Sequence, residues 1–371
     1  MRVIDHEAAV CDFTVTPDSI IVQLQQQSPT ALVSNVATTI DSLELHGQRW
    51  PLTINNAEYK NALICSPYTT YITYPLDELS KLPKLWVKAA VLLNALVMSG
   101  VCRLTKINKI VQVNNSLNSL LKHPAIFMKC LPEITRTLLL RYPKHALTFF
   151  RVNAVLDEKF LQTLKQQGYL VFPDRAVHLF FLHKSVMQRR DTKRDMALLR
   201  ESPYTIVPHE AFTAEDANRV AELYHQLFVD KHSSCNPIYT ALYFRRAIQY
   251  RWHTFVGLRN QHGRLDGFVS WFMSGDIMIS GSLGYDQSID AKMGLYRQLV
   301  AICLKHANDN QFIFNMGGGS DAFKLNRGST RVLEYTAVYC KHLPFYRQIP
   351  WKIFHWIFNK TLKKIVTESS L

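Results

Sequence analysis

The second half of the chain carries a pattern of apolar and polar positions that predicts a compact α/β arrangement. Segments with a period of two predict strands, and segments with a period near 3.6 predict helices, in the order β-α-α-β-β-β-α-β-α-β. The predicted strands are 204–208, 254–259, 265–273, 277–285, 312–316 and 332–339, and the predicted helices are 213–230, 238–250, 291–307 and 321–326. Thr213 and Asp216 have the spacing of a capping box at the start of the first helix.

The first half shows the same two kinds of pattern less regularly. The predicted strands are 42–45, 52–54, 62–65, 110–113, 147–152, 169–172 and 176–182, and the predicted helices are 84–98, 132–140 and 157–166. The apolar run 85–101 is shorter than a membrane span and contains Lys88 and Asn94, so it predicts a buried helix. Residues 184–200 are rich in lysine and arginine and lack an apolar stripe, which predicts a connector between domains.

The composition is that of a globular protein with more than one domain. The chain has 371 residues, of which 47% are hydrophobic and 19% are charged. Its formal net charge of +14 favours an anionic partner, although such a charge also serves solubility alone. The predicted division is an N-terminal lobe at 1–183, a basic connector at 184–202, a C-terminal catalytic domain at 203–347 and a basic aromatic helix at 348–371.

The cysteines and the known ligand-binding motifs exclude several classes of function. The 7 cysteines are scattered, and no two have the Cys-x-x-Cys spacing of a redox or metal site. This favours a reducing compartment, and the first ten residues lack the apolar core of a signal peptide, so we expect a cytoplasmic protein without a bound metal. The chain contains neither a Walker loop nor a Gly-x-Gly-x-x-Gly motif after its first strand.

Short motifs in the second half resemble those of the GNAT superfamily of acyltransferases, in its FemAB-like branch. The matching motifs are Asp230-Lys231-His232-Ser233, Asn236-Pro237, Asp266-Gly267, Gly284-Tyr285-Asp286, Gly294-Leu295-Tyr296-Arg297, Phe323-Lys324-x-x-Arg327-Gly328, Glu334-Tyr335, Val338-Tyr339 and His342-Leu343-Pro344. The resemblance covers 203–347, and 146–182 is similar to the closing part of a second, degenerate copy. It implies an α/β (α+β) fold of two GNAT-like lobes, each a mixed, mostly antiparallel sheet flanked by helices, with a strand that splays away to open a cleft.

Acyl transfer requires a group that stabilises an oxyanion and a group that accepts a proton from the nucleophile. We predict Lys324 as the electrostatic residue, because it lies on a short helix just after the glycine-rich segment 317–320. The alternative is a surface lysine that pairs with Asp321. Arg327 lies on the same face of that helix, where it binds a phosphate or carboxylate, or else pairs with Glu334.

The end of one predicted strand supplies further candidates. Gly284 allows close approach of another backbone, Tyr285 is a candidate proton donor, and Asp286 is a candidate base. All three residue types are also common in turns at the ends of strands. Glu334 is a candidate base if its side chain points inward, and a solvated strand residue if it points outward.

The donor is less well defined by the sequence. GNAT enzymes that use coenzyme A present a glycine-rich loop to its pyrophosphate, whereas residues 287–294 offer only Gly294 and Lys292 for that task. The resemblance to FemAB-type enzymes implies aminoacyl-tRNA as the donor, and an acyl carrier protein also suits a basic protein. By the same resemblance Lys231 and Asn236 belong to the binding site. In the first half, Asn114 and Asn115 either bind the acceptor or cap a helix.

The last segment, 350–365, places aromatic residues at helical spacing among lysines. This pattern predicts a helix that packs on its own domain, or one that makes a peripheral contact with a membrane or another anionic partner.

The sequence therefore favours an enzyme that moves an acyl or aminoacyl group onto an amine or hydroxyl of a small acceptor in a biosynthetic pathway. The donor is aminoacyl-tRNA, an acyl carrier protein or acyl-CoA as co-substrate, and we expect no permanently bound cofactor. Two alternatives stay open: a non-catalytic GNAT-like protein that binds RNA or another anionic ligand, and a membrane-surface protein held by its C-terminal helix.

Overall fold

The computed structural model describes residues 17–79, 85–118, 122–181 and 184–368. The strands are β1 (Thr39–Leu45), β2 (Gln48–Asn55), β3 (Ile110–Val113), β4 (Ala146–Asn153), β5 (Leu170–Phe181), β6 (Thr205–Val207), β7 (Thr254–Arg259), β8 (Leu265–Ser274), β9 (Ile277–Tyr285), β10 (Ile313–Asn315) and β11 (Thr330–Tyr339). The α-helices are α1 (Pro17–Gln26), α2 (Pro29–Leu32), α3 (Tyr74–Asp77), α4 (Leu85–Leu104), α5 (Ala125–Arg141), α6 (Glu158–Gln166), α7 (Lys184–Gln188), α8 (Arg190–Arg200), α9 (Asp216–His225), α10 (Ala241–Gln249), α11 (Leu295–Asp309), α12 (Asp321–Asn326) and α13 (Phe345–Glu368). Short π- or 3₁₀-helical segments are Thr69–Thr73, His209–Ala211, Gln226–Asp230 and Ala291–Met293.

The described residues divide into two compact units. Unit 1 contains Val177–His232 and Tyr239–Arg331, and unit 2 contains Pro17–Ala176, Ser233–Ile238 and the described part of Val332–Leu371. Two strands, β5 and β11, each begin in one unit and continue into the other. The sequence-based division keeps 203–331 and 332–347 together, whereas in the structure 332–347 belong to unit 2 with Pro17–Ala176.

Unit 1 is built on a sheet with the strand order β5-β10-β9-β8-β7-β6. Strands β6 to β9 are successive antiparallel neighbours, and β10 pairs parallel to β9 and antiparallel to β5. Helix α11 connects β9 to β10, and Leu299 and Leu304 of this helix belong to the same buried cluster as Trp271 and Phe314 of the sheet. Burying each such side chain stabilises the unit by roughly 1.5–3 kcal/mol.

The predicted capping box at the start of α9 is confirmed. The Thr213 N–H donates to Asp216 Oδ2 at 2.8 Å, and the Asp216 N–H donates to Thr213 Oγ1 at 3.4 Å. These reciprocal bonds satisfy two backbone donors that have no partner inside the helix.

Unit 2 also has a mixed, mostly antiparallel sheet, in which β1, β2, β3, β4 and β11 are successive neighbours and only β3 and β4 are parallel. On one side α5 and α6 contribute Phe127, Leu131 and Phe160 to a cluster with Phe149 of β4. Both units thus show the predicted arrangement of a mixed, mostly antiparallel sheet flanked by helices.

Four predictions for the first half of the chain differ from the structure. Residues 62–65 form a turn rather than a strand, although all four side chains are buried, because the backbone of Ala62 and Leu63 bonds to other loops. The two strands predicted at 169–172 and 176–182 are replaced by one continuous strand, β5 (Leu170–Phe181), and residue 182 lies outside the described residues. Residues 184–200 form α7 and α8. Helix α4 is exposed along much of its length, contrary to the buried helix predicted for 85–101.

Candidate active site

The parallel strands β9 and β10 of unit 1 part from each other. Their ladder ends at the pair Ile279↔Asn315, although β9 continues to Tyr285. Beyond Asn315 the chain stays with β5 instead, since the Met316 N–H donates to the His178 carbonyl and the His178 N–H donates to the Gly317 carbonyl, each at 3.0 Å. Among the described residues, the second half of β9 therefore has a partner strand on one side only, and the splayed strand predicted from the sequence is present.

A bulge in β9 accounts for the change of direction. The β8–β9 register shifts between Val269 and Trp271, and the Ser270 hydroxyl fills the gap by accepting from the Ser282 N–H at 2.7 Å and donating to the Ser282 carbonyl at 3.1 Å. A Cβ on Gly281 would lie 2.7 Å from Ser270 Oγ, so a glycine is required there. Bulges increase local twist and bend the strand that carries them. Gly281 inside an apolar strand is the sequence signal for this bulge, and it was missed.

Gly284 has the close backbone approach that was predicted, but the approaching backbone belongs to a helix. A Cβ at this position would lie 2.6 Å from the Leu223 carbonyl carbon and 2.7 Å from the Tyr224 nitrogen of α9. Glycine at 284 thus allows α9 to pack directly on β9.

Aromatic side chains continue from the end of β9 to α12. The ring centroids of Tyr285 and Tyr296 are 6.2 Å apart, and those of Tyr296 and Phe323 are 4.8 Å apart. Lys231 is exposed, lies 5.9 Å from the centre of the Tyr285 ring and donates from Nζ to Gln287 Oε1 at 3.1 Å. Burial raises the pKa of Tyr296. These residues form an aromatic wall with one exposed cation at its end.

Lys324 is buried and faces the glycine turn. Its Nζ donates to the carbonyls of Met316, Gly317 and Gly318 at 3.2, 3.0 and 2.8 Å. An ammonium group has three N–H donors, so these contacts account for all of them. The structure therefore gives Lys324 the task of fixing the turn that ends β10, where Gly317, Gly319 and Ser320 have positive φ. With 2% of its surface exposed, Lys324 is not a surface lysine.

Arg327 is also buried, and it pairs with a residue of the predicted connector. Its Nε donates to Asp195 Oδ2 at 2.6 Å and its Nη1 donates to the Phe323 carbonyl at 2.7 Å. Asp195 Oδ1 accepts from Arg297 Nε at 2.6 Å. The fully buried Asp195 carboxylate thus links α8 to α11 and to the end of α12. This contact explains why α8 packs against the rest of unit 1.

Asp286 lies at the end of β9 in a network of hydrogen bonds. It accepts from Arg219 at 2.6 Å, from Arg264 at 3.0 Å and from the Ser288 N–H at 2.9 Å. Burial alone would raise the pKa of Asp286, but the bonds from Ser288 and Arg219 outweigh it, and the pKa lies below its ordinary value. A carboxylate in this state is ionised at neutral pH and weakly basic.

The segment before α11, which the sequence analysis considers for the pyrophosphate of coenzyme A, makes local contacts of its own. The Lys292 N–H donates to Asp290 Oδ1 at 2.9 Å, and the Lys292 side chain is exposed. Gly294 adopts a left-handed conformation with φ of 61°, and a Cβ there would lie 2.7 Å from Leu198 of α8. Gly294 is thus required by the turn and by the packing of α8.

Glu334 lies in unit 2, where the structure shows the inward orientation. The side chain is fully buried, and Oε2 accepts from Arg175 Nε at 2.9 Å. Its Oε1 is buried without a hydrogen-bond partner among the described residues. A buried carboxylate oxygen without a partner is rare and is able to accept a proton or a hydrogen bond from a ligand.

The asparagines of unit 2 have structural contacts. Asn115 is buried, donates to the Ile64 carbonyl at 2.9 Å and accepts from the Leu117 N–H at 2.9 Å, and Asn114 donates to the Lys122 carbonyl at 3.1 Å. The Asn236 carbonyl accepts from Asn35 Nδ2 at 2.8 Å, and Asn35 lines an open cavity of about 380 Å³. Neither Asn114 nor Asn115 caps a helix in the described residues, since α5 begins after Pro124.

Two side-chain clusters were missed by sequence reasoning because their members are far apart in the chain. In unit 1, His178 bonds Ser329 Oγ at 2.8 Å and Asp321 Oδ1 at 3.1 Å, and burial lowers the pKa of His178. Ser329 is buried and Asp321 is partly exposed, which is the reverse of a nucleophilic triad. In unit 2, ligand atoms of His46, Cys130 and Glu133 lie within 4.8 Å of one another, and these are donor types that zinc accepts.

Solved structures with a similar fold include three named transferases or related proteins. FemX matches over 94% of this chain and 96% of its own length, with a TM-score of 0.51 and 9% sequence identity. L-PGS from Bacillus licheniformis matches over 67% of this chain and 82% of its own (12% identity, TM-score 0.46). The tandem GNAT protein from the clavulanic acid biosynthesis pathway matches over 62% of this chain and 75% of its own (16% identity, TM-score 0.38). No family model and no curated sequence matches the chain. The chain therefore shares the fold of FemX over nearly its whole length.

Proposed function

We propose that this protein transfers an acyl or aminoacyl group from an activated carrier to an amine or hydroxyl of a small acceptor. The observation that carries the proposal is the parting of β9 and β10 after Ile279 and Asn315. Within the part of the chain that the structure describes, it leaves one side of β9 from 280 to 285 without a partner strand, so backbone N–H and C=O groups there are available to an extended ligand. If the carrier of the acyl group contains amide groups, these can form hydrogen bonds with this edge of β9.

The same edge suits the chemistry of acyl transfer. Backbone N–H groups that are fixed before the reaction stabilise the oxyanion that forms on the donor carbonyl. Because Lys324 has its three donors on the carbonyls of 316–318, we assign it a positioning role: it holds the end of β10 apart from β9. Tyr285 and Lys231 lie at the end of the open edge, where they would contact the donor. Asp286 is held by two arginines, which argues for a structural role rather than for that of the base.

The donor in this proposal is attached to a macromolecular carrier. The Lys292 backbone N–H is occupied by Asp290, and Gly294 faces Leu198, so the segment that would bind the pyrophosphate of coenzyme A has another task. The formal charge of +14 favours tRNA or an acidic carrier protein instead.

Calorimetric titration at two salt concentrations tests this choice, with acetyl-coenzyme A, total aminoacylated tRNA and a phosphopantetheinylated carrier protein as the three ligands. For tRNA we expect an affinity that falls steeply with salt, with a slope near −0.7 to −0.9 per phosphate contacted. A carrier protein gives a shallower dependence through surface ion pairs. Tight, nearly salt-independent binding of acetyl-coenzyme A would overturn the assignment of the donor and restore an acyl-CoA transferase.

Transfer itself is tested by mass spectrometry of mixtures of the protein, the bound donor and a panel of small amines and alcohols. An acylated acceptor that depends on the protein supports the enzyme. Tight binding of RNA without any acylated product would instead identify a non-catalytic binding protein with this fold.

A further inference from the structure

Helix α4 of unit 2 turns an apolar face to solvent. Leu93, Leu96 and Val97 are 65%, 65% and 60% exposed, and Leu85 and Leu104 at the two ends of the helix are 83% and 82% exposed. Spacings of three, four, seven, eight and eleven residues place these side chains on one broad face. A monomeric protein rarely exposes so many large aliphatic side chains together unless they contact another surface.

The opposite face of α4 is firmly packed, so the orientation of the helix is defined. Ala95, Met98 and Cys102 are buried in one cluster with Trp351 and Phe354 of α13. The exposed leucines therefore do not belong to the core of unit 2, because a different face of α4 packs against that core.

Helix α13 adds exposed aromatic residues that are paired with lysines. Phe345 and Trp356 are 70% and 59% exposed. Lys352 Nζ lies 5.0 Å from the centre of the Phe345 ring, and Lys360 Nζ lies 4.3 Å from the centre of the Trp356 ring. Aromatic rings beside lysines are typical of the boundary between lipid acyl chains and headgroups.

A cluster of four cations lies where α4 ends and α13 begins. The buried Arg347 guanidinium donates to the carbonyls of Thr105, Lys106, Lys109 and Lys144. Among the described residues, no ion pair joins Arg347 or these three lysines to a carboxylate. Burial and then the repulsion from Arg347, Lys144 and Lys106 lower the pKa of Lys109.

The apolar face and the cations are neighbours. Arg347 follows the exposed Tyr346 in the chain and bonds the carbonyl of Thr105, the residue after Leu104. The four positive charges repel one another in the free protein, and an anionic partner would reduce this repulsion.

We propose that the exposed face of α4, the exposed aromatic residues of α13 and the cation cluster Lys106, Lys109, Lys144 and Arg347 form one docking surface for an anionic phospholipid bilayer. Helix α4 lies in the plane of the interface with its leucines among the acyl chains, and Lys106, Lys109 and Lys144 contact phosphate headgroups, while the buried Arg347 adds its positive charge to theirs. None of the described helices is long and apolar enough to cross a bilayer, so the contact is peripheral. A second copy of the chain fits less well, because a symmetric contact would bring two cation clusters together. This surface lies within unit 2 and is independent of the proposed reaction.

Vesicle co-sedimentation of the full chain tests this docking surface. The vesicles contain phosphatidylcholine alone or with roughly 30% phosphatidylglycerol. We expect binding to the anionic vesicles that weakens with salt, and little binding to the neutral ones. The double variant Leu93→Gln/Leu96→Gln should bind about tenfold or more weakly, and Lys106→Glu/Lys144→Glu should lose the preference for anionic lipid. Leu140→Gln is the matched control, because Leu140 is a 78% exposed leucine of α5.

Three results would overturn the docking surface: no binding to either vesicle, equal binding to both, or equal loss of binding in the Leu140 control. Sedimentation equilibrium without lipid tests whether a second copy of the chain occupies this surface instead. A dimer that dissociates in the double leucine variant would show that the face of α4 binds a second copy instead.

Discussion

The Asp195 carboxylate accepts hydrogen bonds from Arg327 Nε and Arg297 Nε, both at 2.6 Å. The side chains of Asp195 and Arg327 are 1% and 6% exposed, so this ion pair is removed from water. Asp195 lies on α8, in a segment whose lysines and arginines would suggest a solvated linker. The single buried carboxylate holds that segment against α11 and α12, the two helices that flank the turn after β10.

Replacing Asp195 with asparagine should lower the free energy of unfolding by about 3 kcal/mol, because the buried guanidinium of Arg327 loses its main counter-charge. Urea unfolding followed by circular dichroism measures the change. Asp309→Asn is the matched control, since Asp309 pairs with Lys305 at 2.7 Å on the surface and both side chains are about half exposed. That control should cost less than about 0.5 kcal/mol. Equal effects of the two variants would contradict the structural role of Asp195.

Replacing Lys324 with methionine should destabilise the protein and not only reduce its activity. Three carbonyls, at 316–318, lose the donor that the buried Lys324 supplies, which costs about 2–4 kcal/mol. Lys292→Met is the control, because Lys292 is exposed and on the same unit. Thermal unfolding gives the comparison. A Lys324→Met protein with the melting temperature of the wild type and no transfer activity would instead support the direct electrostatic role that the sequence predicts.

The fold of the second half could be predicted because its core strands alternate cleanly and its helices have clear ends. Strands 254–259 and 277–285 and helix 321–326 have the predicted bounds. In the first half, 62–65 is a continuous buried run without alternation, and such a run does not distinguish a strand from a packed turn. The apolar run 85–101 predicts that α4 is buried. The sequence alone does not show which face of this helix the rest of unit 2 covers.

The sequence names candidate residues for the site but does not show what each of them contacts. The motifs make Lys324, Arg327 and Glu334 candidates, and spacing does not reveal the partners of their side chains. Asp195 is 132 residues from Arg327, and Arg175 is 159 residues from Glu334. Such pairs form only when the chain folds, so a single sequence shows the side chains and not their contacts.

The pH dependence of stability should change when Asp286 is replaced by asparagine. The pKa of Asp286 in the folded protein lies below its ordinary value near 4, so the ionised form stabilises the fold above that value, and this stabilisation is lost as the pH falls through the folded pKa. At neutral pH the variant should therefore be less stable than the wild type. The difference should shrink as the pH falls below about 4. Unfolding free energies measured from pH 7 to pH 3 give the two curves, and a constant difference over that range would exclude this role of the ion pairs with Arg219 and Arg264.

Two tryptophans of α13 should behave in opposite ways when each is replaced by alanine. Trp351 is 1% exposed and lies in the cluster with Phe354 and Met98, whereas Trp356 is 59% exposed and contacts Lys360. Trp351→Ala should lower the free energy of unfolding by about 3–5 kcal/mol, because it leaves a cavity. Trp356→Ala should change it by less than about 1 kcal/mol and should weaken binding to anionic vesicles instead. If Trp351→Ala leaves the stability unchanged, α13 does not pack on its own unit; if Trp356→Ala binds vesicles like the wild type, this end of the helix is not part of the docking surface.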